Sequence, residues 1–209
     1  MANGLDSGQL SAEYANLPQE AREVLDCWFG LPGAPEYDTE RKIWFSRNAA
    51  YDAMLRERFG ALIDAARESM LDSWTQTPLG ALALVIVLDQ FSRNCHRNTA
   101  RAFAADQKAL RIAQQMIASG ADRLLPTAHH RAFAYLPFEH DETLESQHES
   151  LRLFTQLKAE PGGKSYYRSA VRHAEIIERF GRFPHRNAPL GRTSTAEEIA
   201  FLRTPGSSF

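Results

Sequence analysis

The run "LGALALVIVL", Leu79 to Leu88, constrains the fold more than any other feature of the chain. Thr77 followed by Pro78 is an N-cap and first-turn pair, so the run opens a helix that continues through "DQFSRN". A helix that is apolar on every side has to be surrounded by other elements, and this one is read as the centre of the core. It is far short of the roughly 20 apolar residues that span a bilayer, so no membrane segment is expected.

Apolar residues recur at helical spacing along nearly the whole chain, and no run alternates as a half-buried strand does. The expected class is therefore all-α. One helix is expected from Pro18 to Gly30, and another through "TERKIWF" with Asp38 as its cap. A longer one follows through "YDAMLRERFGALIDAARESM", where Gly60 predicts a close helix crossing. Thr99 opens a helix that closes at Gly120, and "AHHRAFAYLPFEH" and "DETLESQHESLRLFTQL" follow. After the polar break "KAEPGGK" come Ser165 to Phe180 and a last helix opening at Ser194 or Thr195, each with a glutamate three residues on.

At 209 residues the chain suits a single domain, residues 1–209, with a core that needs no metal or disulfide staple. Residues 1–17 are read as a flexible N-terminal extension. Cys27 and Cys95 lie far apart and in no C-x-x-C arrangement, so they are read as reduced thiols. The N-terminus has neither the basic region nor the apolar stretch of a secretion signal, and a cytoplasmic location is expected. A net charge of −2 offers no global attraction for nucleic acid, and no nucleic-acid partner is expected. Twenty of the 24 basic residues are Arg, so only the positions of the arginines are informative.

That position is the tail. Between Arg172 and Arg192 five arginines face Glu175 and Glu178, a local excess of +3, and Gly181 and Pro184 stop the helix and set the exit path of the chain. Arginine is a planar five-donor fork that stays charged, and converging forks make anion sites. Arg182, Arg186 and Arg192 are therefore the expected clamp for a carboxylate or phosphate, with His185 and Asn187 fixing orientation. The same side chains could instead bond nearby helix ends. His173 falls on the apolar stripe with Ile176, Ile177 and Phe180. It reads either as a buried core histidine or as a ligand contact.

Two further clusters carry polar chemistry. Asp89 and Arg93 are four apart at the end of the central helix, beside Gln90 and Asn94. They read as a structural ion pair, or as a carboxylate that orients an arginine whose other face, with Asn94, meets a ligand. In "YLPFEHDE", Pro137 cannot donate to Phe133, which predicts a kink or restart near Glu139 and His140. Those two are the acid/base pair if the protein is an enzyme, with Glu142 and Gln147 nearby; the alternative is mutual satisfaction under a kink. No metal site is expected, because "EHDE" contains neither H-x-x-x-H nor E-x-x-H. No cofactor is expected, since the common nucleotide, hydrolase and zinc-protease motifs are missing.

The strings "LDCWFG", "IWFSRNAAYDAMLRERFG", "LDQFSRN", "FAYLPFEHDE" and "HAEIIERFGRFPHRNAPLGRTSTAEEIAFL" together resemble domain-of-unknown-function family 924, from about Val24 to the C-terminus. Asp141 stands where a serine is expected after Glu139-His140. The resemblance implies a TPR-like, right-handed array of antiparallel helix pairs, although no 34-residue period is visible, and it implies no activity. The expected function is binding of a small anionic molecule, or of an acidic partner segment, in an Arg/His-lined cleft. The alternatives are a TPR-like protein-interaction module and a hydrolase or transferase built on Glu139 and His140.

Overall fold

The apolar run forms the helix its composition demands. In the computed structural model, which describes residues 7–37 and 39–207, α1 spans Ser7–Asn16, α2 Gln19–Phe29, α3 Ala49–Arg67 and α4 Pro78–Val85. Without a break α4 passes into a π-helical segment, Ile86–Phe91, and then into α5, Ser92–Cys95. All the apolar side chains from Leu79 to Leu88 are buried. Thr77 caps the helix by accepting from the Gly80 amide at 3.2 Å, with Pro78 in the first turn. Glu13 adds its carboxylate to the same end, accepting from the Leu79 amide at 2.7 Å. Part of the expected N-terminal extension is thus a docked helix, while residues 1–6 lie outside the described residues.

The remaining helices are α6, Asp106–Ser119; α7, Ala128–His140; α8, Leu144–Leu157; α9, Gly163–Phe180; and α10, Ala196–Leu202. Among the described residues there is no strand. The fold is all-α, with α4 packing on α2, α6 and α7, and with consecutive elements α6 to α9 packing each on the next. The main core includes Trp28, which is 0% exposed and rings with Trp44, Phe91 and Phe133 at 5.4–6.4 Å, and a smaller cluster of Ile176, Ile177 and Phe183 joins the end of α9 to the tail, with Phe201 of α10 against it. No helix among the described residues is long and apolar enough to cross a membrane.

Three local expectations are corrected. The "TERKIWF" segment holds only a short 3-10 turn, Lys42–Trp44, tied down by Trp44 Nε1 donating to the Trp28 carbonyl at 2.8 Å; Asp38, its expected cap, lies outside the described residues. The long helix that follows is capped by Asn48, which accepts from the Tyr51 amide at 3.0 Å. Thr99 opens a 3-10 turn, Ala100–Ala102, and α6 begins at Asp106. A Cβ at Gly60 would meet nothing within 4 Å, so no helix crosses closely there.

Pro137 lies inside α7, which runs on through it instead of restarting. The carbonyls at the end of this helix are collected by one side chain. Gln147, 0% exposed on α8, donates from Nε2 to the carbonyls of Glu139 at 2.9 Å, Asp141 at 2.6 Å and Phe138 at 3.3 Å. Gln147→Leu keeps the volume and deletes the donor, so it is expected to cost about 2 kcal/mol, lowering Tm by about 6 °C. An unchanged Tm would show that the α7 end does not depend on this amide.

Candidate functional site

The tail leaves α9 at Gly181, whose φ of +67° is the left-handed turn that glycine adopts without strain. Pro184 then opens a 3-10 turn, Pro184–Arg186, that buries Arg186 to 6% exposure. The guanidinium of Arg186 lies between two rings, 4.8 Å from Phe103 and 4.6 Å from Phe183. Among the described residues its one hydrogen bond is to Asp106, Nη1 to Oδ2 at 3.3 Å, and its Nε is enclosed with no partner. Asp106 is itself taken by Arg93, which donates two parallel bonds at 2.9 Å. The buried Arg186 and the half-buried Arg93 therefore share one carboxylate. Burial, and then Arg93, push the Arg186 guanidinium down to about 10.

Arg93 also meets Asp89 at 2.8 Å. Asp89 is 0% exposed and sits in the π-helical segment, a backbone form frequent at functional sites. Its carboxylate accepts from Gln90 and, at 2.7 Å, from Nδ1 of His140. Burial opposes the charge, but Arg93 and His140 outweigh it and hold the Asp89 carboxyl below its ordinary range. For His140 burial comes first and Arg93 second, and together they overcome Asp89, so the imidazole is displaced toward its neutral form. The His140 ring is 6.2 Å from His173, which is 5.4 Å from Phe183. His140, Asp89, Arg93, Asp106, Arg186, Phe183 and His173 thus form a closed circuit of contacts between α7, the central helix, α6, the tail and α9.

The expected Glu139–His140 acid/base pair is divided between different partners. His140 turns to Asp89, whereas Glu139, 1% exposed, accepts from Ser169 Oγ at 2.8 Å and lies 3.0 Å from His173 Nδ1. His173 Nδ1 is also 2.9 Å from the Ser169 carbonyl, and the residue is buried. His185 lies beside Phe183, its ring held down to about 3 by burial and then by Arg186.

Arg182 and Arg192 face the protein's own acceptors. Arg182 forks onto Glu198 at 2.7 and 2.9 Å and reaches the Thr193 carbonyl at 3.0 Å. Glu198 also completes the capping box of α10 with Thr195, which settles which of the two candidate caps is used. Arg192 engages Glu142 at 2.5 and 2.9 Å, Asn187 at 3.0 Å and the Phe183 carbonyl at 3.2 Å. Glu142 also receives the Phe183 amide at 2.7 Å, and so it anchors the tail to the α7–α8 corner. Asn187 bonds Ser194 at 3.0 Å, and Asn94 bonds Asp52 at 2.9 Å. Of the three expected tail forks, Arg186 alone joins the central circuit.

Three participants had no signal in the sequence: Asp106, Phe103 and Ser169. Among the described residues no three His, Cys, Asp or Glu are grouped to hold a metal ion. Cys27 and Cys95 are free. Two surface cavities, about 280 Å³ bounded by Asp64, Arg67 and Lys108 among others and about 480 Å³ bounded by Lys158, Lys164 and Arg168 among others, are lined by none of the circuit residues.

Residues 24–206 match the model of the family described as "Bacterial protein of unknown function (DUF924)". A solved structure of a protein of unknown function from Agrobacterium tumefaciens is similar at 36% identity and a TM-score of 0.76, over 88% of this chain and 96% of that one. A search of curated proteins finds no match.

Proposed function

We propose, on the premise that the chain belongs to this bacterial family, DUF924, that its function is to bind a small anionic molecule, or an acidic group of a partner, at Arg186 with Arg93 and His140 around it. The observation that carries the reading is the shortage of acceptors at Arg186. A guanidinium has five donors, and this one, 6% exposed, spends one of them on a carboxylate that Arg93 already holds twice. Desolvating a cation without full pairing is costly, and an incoming anion removes that cost. Each charge-assisted bond it forms contributes about 1.5–3 kcal/mol. The consecutive packing of α6 to α9 supports the TPR-like arrangement that the family resemblance implies, and the two unpaired thiols support a reducing, cytoplasmic setting.

Arg186→Met tests the reading. Asp106 keeps both bonds from Arg93, so no buried carboxylate is orphaned, and an apolar side chain fits between Phe103 and Phe183. Affinity for inorganic phosphate, measured by calorimetry, is expected to fall at least about tenfold while the urea midpoint stays nearly constant. Arg192→Ala, which removes the Glu142 anchor, is expected to do the reverse. Unchanged phosphate affinity in Arg186→Met would make Arg186 an architectural residue.

A further inference from the structure

Among the described residues, Nη2 of Arg186 and Nε2 of His140 carry no hydrogen bond to the rest of the circuit and, like Nε of Arg93, are not enclosed as Arg186 Nε is. They differ in kind. Arginine can only donate. The other nitrogen of His140, Nδ1, is 2.7 Å from Oδ1 of Asp89, and Asp89 is a fully buried carboxylate paired with Arg93 at 2.8 Å. An ionised carboxylate can only accept, so the neutral ring keeps its proton on Nδ1 and presents a lone pair at Nε2. The charged and titratable groups that face the ring are Asp89 and Arg93 on the central helix, Glu139 on its own helix, His173 on α9 and Arg186 on the tail. Burial and then Arg93 outweigh Asp89 at the ring, so a further cation at His140 is unfavourable.

A cationic donor and a neutral acceptor therefore stand on one circuit. Resting on the anion-binding reading above, we infer that the ligand is a hydroxylated anion, whose charged group is held by Arg186 and whose hydroxyl donates to Nε2 of His140. Hydroxy acids and phosphate monoesters of polyols belong to this class. A diacid without a hydroxyl is disfavoured, because its second carboxylate would meet a lone pair.

The test uses the full chain and two phosphate monoesters of equal charge, glycerol 3-phosphate and n-propyl phosphate, titrated by NMR. Glycerol 3-phosphate is expected to bind about fivefold or more tightly, one hydrogen bond's worth of preference. In His140→Phe that advantage is expected to shrink below about twofold, with propyl phosphate affinity unchanged. A second arm needs no variant: ¹⁵N spectra of the ligand-free chain at alkaline pH are expected to show neutral His140 protonated at Nδ1. Equal binding of the two esters, an advantage that survives His140→Phe, or a proton on Nε2 would each overturn this inference while leaving anion binding intact. Failure of both esters to bind would overturn the two readings together.

Discussion

Asp89→Ala is expected to lower the stability of the fold by about 3–5 kcal/mol, the range for removing one partner of a buried ion pair. For a chain of this size that corresponds to a Tm lower by about 10 °C or more. The carboxylate is 0% exposed and receives Arg93 at 2.8 Å, His140 at 2.7 Å and the Gln90 amide. Without it, Arg93 and Arg186 have Asp106 alone between them, and the Gln90 and His140 donors lose their acceptor. An exposed carboxylate supplies the contrast. Asp64 pairs with Arg101 at 2.6 Å and Arg67 at 3.6 Å, but its side chain is 53% exposed, and Asp64→Ala is expected to cost less than about 1 kcal/mol. Both variants remove a carboxylate that pairs with two basic side chains, so the comparison isolates burial. Urea unfolding curves showing equal losses would mean that Asp89 does not hold the circuit together.

What could be read from the sequence follows the range of the interaction that decides each feature. Thr77-Pro78, the Gly181 stop and the Thr195–Glu198 capping box act within a few residues, and each is found where the chain places it. The π-helical segment was not legible, because Ile86–Phe91 has the composition of an ordinary buried helix and its extra-wide turn is selected by what packs around it. Asp106 reads as a common first-turn acid of α6; its partner Arg186 is 80 residues away. The arginines of the tail were visible as donors, but which of them is already spent depends on acceptors elsewhere. Glu198 lies 16 residues from Arg182 and Glu142 lies 50 from Arg192. Glu139 and His140, adjacent in sequence, occupy neighbouring positions on a helix whose side chains diverge, so one meets α9 and the other the central helix.

Between pH 7 and pH 5 the fold is expected to lose about 4 kcal/mol of stability, a change set by histidines and not by carboxylates. His130 and His185 ordinarily titrate at 6.5, and each is pushed down to about 3 in the folded chain. For His130 the cause is burial first, then His129 and Arg131; its ring stacks on Phe29 at 3.9 Å and meets Thr127 Oγ1 at 2.8 Å. For His185 it is burial first, then Arg186. Below pH 6.5 the unfolded chain takes up protons that the folded chain refuses, so stability is full above 6.5 and falls with pH until the folded values near 3 are reached. At pH 5, 1.5 units below the ordinary value, each histidine contributes a loss of about 2 kcal/mol. His140 and His96 are also displaced downward, with burial the first cause in each, and they steepen the same slope. The buried carboxylates Asp89 and Glu139 are displaced downward from 3.8 and 4.5, so their losses begin only at more acidic pH. His130→Phe keeps a ring against Phe29 and removes one titrating site; it is expected to cut the pH 7 to pH 5 loss by about half in urea unfolding. A loss of unchanged size in that variant, or a wild-type fold that gains stability toward pH 5, would contradict the buried neutral imidazole on which the slope depends.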